Sequence, residues 1–167
     1  MKKNELRNAT HVRNFIFGVE DSLVSTVGLL SGIAVGGVAR SQIVLTGMVL
    51  LFVEAFSMGV GSLLSEQSAR EYLSHKETSL GGSLLDSIIM FTSYFVAGFI
   101  PLSPYFLFDP ARASVLSVTL TLCALFLLGS VSGKFFGISV VRNGVRTLIM
   151  GGVATAVGVA AAMIIGK

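Results

Sequence analysis

The sequence predicts an all-α fold, an integral membrane bundle of five transmembrane helices, on three observations. Apolar residues make up 53% of the 167 positions and the mean hydropathy is +0.82. Only 13% of residues are charged, against roughly 25% in soluble domains. The apolar residues gather into five runs, each near the ~20 residues that cross a bilayer, and basic residues fall on one side when those runs are threaded alternately.

The first run, Phe15 to Val38, carries Glu20 and Asp21 near its start and continues past any convincing cleavage site, so it reads as a span and not as a removable signal peptide. After the short link Ala39 to Gln42, the second runs from Ile43 to Leu64. A polar stretch from Ser65 to Ser83 follows, the one connector with room for extra structure. The third span is Leu84 to Leu107, the fourth is Ala113 to Val131 after a turn at Asp109 and Pro110, and the fifth is Leu148 to Ile165 after Ser132 to Thr147. Together they use the chain as one transmembrane domain, 1–167. A cytoplasmic N-terminus puts Lys2, Lys3, Arg7, Arg13, Arg70, Lys76, Lys134, Arg142 and Arg146 inside and leaves Arg40, Arg112 and Lys167 outside. The C-terminus is then non-cytoplasmic, in a multi-pass protein of the cell membrane or a vacuole-type membrane.

Several classes of function find no support. Cys123 is the single cysteine, so one chain can form neither a disulfide nor a cysteine-based zinc site. The net charge of +3 flanks apolar segments and does not cluster with aromatics, which argues against nucleic acid as a partner and for lipid. No nucleotide-binding loop, zinc-protease spacing or serine elbow is present, and the spans offer no nucleophile with a paired base. The chain is therefore not expected to be an enzyme or to hold a permanent cofactor.

What the spans do offer is carboxylates. One near the middle of a span costs about 2.5–3.5 kcal/mol on insertion scales, so it faces protein or water and usually serves a function. Asp21 shares a narrow helical face with Ser25, Gly28, Gly32 and Gly36, and small residues on such a face admit a close helix contact. That contact is either inside one chain or with a second copy in a homodimer. Glu20, rotated by roughly 100°, points to a headgroup, a basic side chain or the pathway mouth. In the second span Glu54 and Met58 are four apart, which places a carboxylate and a thioether on one face and biases a site toward transition ions; ordinary packing is the alternative for Met58. The second connector holds Glu66, Glu71, His75, Glu77 and Asp86. Glu71 and His75 have helical spacing suited to weak metal binding or to a solvated helix end, and His11 reads as interfacial.

These residues carry a resemblance. Gly18-Val-Glu-Asp-Ser-Leu-Val-Ser-Thr-Val-Gly-Leu-Leu-Ser-Gly32 resembles the first-helix signature of the vacuolar iron transporter family. Glu54-Ala-Phe-Ser-Met-Gly-Val-Gly-Ser62, then Leu64-Ser-Glu-Gln-Ser68, is similar to its second-helix segment. Gly98-Phe-Ile-Pro-Leu-Ser-Pro-Tyr105 is similar to its third-helix end, and Gly144-Val-Arg-Thr-Leu-Ile-Met-Gly151 completes an ordered likeness along nearly the whole chain. The resemblance implies a five-helix homodimer that exchanges Fe2+, and sometimes Mn2+, for protons, exporting the ion from the cytoplasm to a vacuole or the exterior. It places Asp21, Glu54 and Met58 in the pathway; Glu20, Glu66 and Glu71 are weaker metal candidates from their positions alone. The sequence departs from the pattern at Ser62, where glutamate is frequent, at Glu20 and Ser22 beside the aspartate, and in a connector too short for the helical metal-collecting domain of eukaryotic members. The rivals are a carrier of another divalent ion and a scaffold or regulatory subunit whose carboxylates pair with arginines.

Overall fold

A helix needs a chain that satisfies its own backbone, which is also the only way an open segment can cross hydrocarbon. The computed structural model describes residues 3–77, 79, 81 and 83–165, and over these it contains helices and no strand. Lys2 and Lys167, expected at opposite ends, lie outside the described residues. The elements are α1 (Lys3–Val35), α2 (Arg40–Ser74), α3 (Leu84–Ala97), α4 (Phe99–Leu102), α5 (Pro104–Leu107), α6 (Pro110–Phe135) and α7 (Val140–Ile165). Five stretches are long and apolar enough to cross a bilayer: Arg7–Val35, Arg40–Ser74, Leu84–Leu102, Pro110–Phe135 and Val140–Ile164. The protein is thus a multi-pass, all-α membrane bundle.

Several helices outrun the apolar segments that announce them. α1 begins at Lys3 and not near Phe15, α2 continues to Ser74 through most of the polar connector, and α7 starts at Val140 and not Leu148. Good helix formers such as Glu, Gln, Arg and Ala extend these helices because nothing in them interrupts the backbone ladder. The ends fall where the chain must turn left-handed. Gly37 (φ 77°) follows α1 and Gly137 (φ 68°) follows α6. Both turns have the same pattern: Val38 N–H donates to Ile33 O and Gly37 N–H to Ala34 O, and likewise Ile138 to Gly133 and Gly137 to Lys134. This is the Schellman closure, in which glycine takes the left-handed position without penalty. It reduces the connector expected over Ser132 to Thr147 to residues 136–139.

The third span is broken. Pro101 and Pro104 lack the N–H that would continue the ladder, and the helix divides at Gly98 and Ser103. Hydroxyls take up carbonyls in this stretch: Ser103 Oγ donates to Ile100 O (2.9 Å), and Ser117 Oγ reaches from α6 to Pro101 O (2.7 Å).

α1 is the central helix, packing against α2, α3, α4, α6 and α7, while α2 and α7 scarcely meet. Buried Leu30, Ile43, Leu51, Ala55, Tyr94 and Leu102 knit α1, α2 and the broken span together. Leu23, Ala97 and Leu125 join α1 to α6. Among the described side chains, Arg7, Arg13, Arg70, Lys76, Lys134, Arg142 and Arg146 gather at one end of the bundle, the basic end, with Arg40 and Arg112 at the far end.

α6 and α7 form a tight hairpin at the basic end. Asn143 Nδ2 donates to Gly129 O (2.6 Å) and to Ser132 Oγ (3.0 Å). Asn143→Ala removes both bonds in a half-buried site, so thermal unfolding in detergent is expected to show a loss of about 1–3 kcal/mol.

Candidate functional site

Three helices build the site. α1 supplies Asp21 and Ser25, α2 supplies Glu54 and Met58, and α3 supplies Tyr94. Asp21, Glu54 and Met58 are half-buried, whereas Tyr94 is fully enclosed. The Asp21 and Glu54 carboxylates lie close enough for their charges to interact, and the Tyr94 hydroxyl stands in the field of both. Tyr94 shares a 2.8 Å hydrogen bond with Ser25 Oγ, and Ser22 Oγ donates to Tyr94 O at 2.6 Å, which pins α3 to this level of α1. Gly98 permits that approach: a Cβ there would lie 2.1 Å from Leu51 Cδ2 and 2.7 Å from Ser22 Oγ.

An open cavity of about 590 Å³ enters from the basic end between α1, α2 and α3. Asn14, Phe17, Met58, Ser62 and Met90 line it, with Arg13 also on its wall. Phe17 is one turn before Asp21, and Met58 one turn after Glu54, so the carboxylates sit one turn beyond the inner wall. Ser62 is held by Asn14 Nδ2 at 3.3 Å.

The remaining acidic residues are distributed otherwise. Glu20 faces a groove shared with Arg13, Phe17 and Phe136, in the field of Arg146. Glu66 is bracketed by Arg70 (3.2 Å) and Arg13 (3.9 Å). Glu71 accepts from Gln67 Nε2 at 3.0 Å. α2 ends at Ser74, and His75 caps it in the left-handed region (φ 51°) while its backbone N–H donates to Glu71 O at 2.8 Å. Asp86, expected in a polar connector, is instead 1% exposed in the first turn of α3 and pairs with His11 Nδ1 at 2.6 Å. No group of three or more His, Cys, Asp or Glu converges among the described residues.

The glycine face of α1 is occupied within the chain. A Cβ on Gly158 of α7 would lie 3.0 Å from Gly28 Cα, and one on Gly32 would lie 2.7 Å from Ala162 Cβ. Gly28 and Gly32 therefore seat α7 of the same chain, the within-chain one of the two contacts that the small-residue face left open.

Sequence reasoning missed Tyr94, Asn14 and Met90. A tyrosine in the middle of an apolar run was the available signal for the first; nothing local marks the other two.

Comparison with known proteins adds identity to this geometry. The vacuolar iron transporter 1 of Tulipa gesneriana is 40% identical over 65 residues, and that of Arabidopsis thaliana is 43% identical over 65 residues. Each alignment covers 38% of this chain and 26% of the relative, so the matched part spans about a quarter of the relatives' length. The VIT family matches over residues 12–84 and 74–166, which together take in nearly all of the sequence. With that coverage and five helices fit to cross a membrane, the chain belongs to the VIT family.

Proposed function

We propose that this protein carries divalent metal ions, Fe2+ with Mn2+ as the alternative, out of the cytoplasm in exchange for protons. The observation that supports it is the pairing of Asp21 with Glu54: among the described residues, no basic side chain forms an ion pair with either, although Glu20 and Glu66 both have arginines nearby. Two carboxylates kept close together at hydrocarbon depth without a cationic partner favour a cation that comes and goes. This also weighs against the scaffold reading, which needs arginines on those same groups.

The basic end faces the cytoplasm in this reading, and the cavity beneath it admits the ion. Met58 offers a thioether to the ion one turn before the carboxylates, favouring transition metals over Mg2+ or Ca2+. Each carboxylate holds either a proton or a share of the ion, so metal entry expels protons and protonation helps release. One chain provides too few ligands for a divalent ion, and a homodimer doubles them. The two copies face one another through α2 and α7, whose outer faces expose Phe56 (67%) and Val157 (64%).

Proteoliposomes with an acidic lumen are expected to accumulate Fe2+ from neutral medium while releasing protons, with Mn2+ competing and Mg2+ competing weakly. If no divalent ion enters faster than into protein-free liposomes, the transport reading fails.

A further inference from the structure

Beyond the carboxylates, toward the far end, the interior contains hydroxyls that complete no hydrogen bond among the described residues. They are Thr26 and Ser31 of α1, Tyr105 of α5 and Thr121 of α6, each 1% exposed or less. Buried hydroxyls are nearly always satisfied, and an unsatisfied one commonly marks the place of an ordered water. Four of them in the same half of one bundle form a polar seam through an otherwise apolar interior.

The seam has two ends. At its inner end Thr26 lies beside the Tyr94 hydroxyl, which bonds Ser25 and stands in the field of Asp21 and Glu54. At its outer end the hydroxyls of Ser31, Ser114 and Ser117 stand within interaction range of that of Tyr105. Ser117 and Thr121 lie one turn apart on the buried face of α6, which bridges the two levels, and half-exposed Ser114 opens the seam toward the far end. From Asp21 to Ser31 the rise along α1 is roughly 15 Å, about half the hydrocarbon thickness. The seam contains no carboxylate and suits a divalent cation poorly. Hydroxyls, however, both donate and accept, which is what relaying a proton requires.

We propose that Thr26, Ser31, Tyr105 and Thr121, with the water they order, form a proton path from the Asp21–Tyr94 level to the far end, separate from the cation's route along α1 and α2. Each oxygen accepts a proton from one neighbour as it gives its own to the next, so one proton crosses and no other bond changes. The proposal rests on the proton-exchange reading above.

Two measurements test it. X-ray radiolytic labelling of the wild-type protein converts bound water to hydroxyl radical in place. Tyr105 is expected to be modified despite its burial, while the equally buried Leu23 and Leu51 are not; an unmodified Tyr105 overturns the proposal. In proteoliposomes the double variant Tyr105→Phe/Thr121→Val should bind Fe2+ like the wild type, yet its metal-driven proton flux should fall about ten-fold, the effect of one hydrogen bond lost at a barrier. Unchanged proton flux in that variant overturns the path alone. Metal uptake by the wild type with no proton movement overturns the exchange reading and the path together.

Discussion

Asp21→Asn is expected to reduce Fe2+ uptake by proteoliposomes about a hundred-fold, to the background of protein-free vesicles. Asparagine keeps the shape and removes the charge, so it takes away one of the two carboxylates that Asp21 and Glu54 bring together. A unit charge about 4 Å from a divalent cation is worth about 8 kcal/mol at an effective dielectric of 20, and a third of that lost at the barrier or in binding already gives a hundred-fold effect. The Ser25–Tyr94 bond and the Gly28–Gly158 contact do not involve the carboxylate, so melting in detergent should stay close to wild type. Glu20→Gln is the control: its carboxylate faces Arg146, and uptake should change little. Equal uptake by Asp21→Asn and wild type would remove Asp21 from the pathway.

The largest effect on stability is expected at Gly129. A Cβ there would lie 2.6 Å from Thr147 Oγ1, 2.8 Å from Asn143 O and 2.9 Å from Gly144 Cα. Two of those atoms are backbone, so no rotamer change relieves the clash and α6 must move away from α7. The movement also stretches the Asn143 bonds to Gly129 and Ser132. Gly129→Ala should therefore cost roughly 3 kcal/mol and lower the yield of folded protein, as overpacking of a tight interface does. Gly61→Ala, with nothing within 4 Å of its added Cβ, should be nearly silent. A neutral Gly129→Ala would mean that the hairpin tolerates a wider separation than this packing implies.

The number of spans was legible because each apolar run is long enough to be read without knowing its neighbours. Their ends were not, because hydropathy reports where lipid stops and not where the backbone ladder stops. Lys3 to Asn14 and Ser65 to Ser74 are polar and still helical. The better signals were the glycines at 37 and 137, which mark left-handed turns. Asp21, Glu54 and Met58 could be singled out because a charge or sulfur inside an apolar run is conspicuous by itself. The His11–Asp86 pair could not, since it joins residues 75 positions apart, and neither end is unusual alone. The glycine face of α1 left two partners open, and only the three-dimensional packing assigns it to α7, because a small-residue stripe says how close a neighbour comes and not which one it is.

The arrangement around α1 also constrains how such a molecule can change shape. A central rod gripped by its neighbours has little freedom to slide, whereas the two outer rods α2 and α7 are almost independent of each other. A change of shape would then swing α2 about a stationary axle, and the two carboxylates, one on the axle and one on the swinging rod, would part or converge with each stroke.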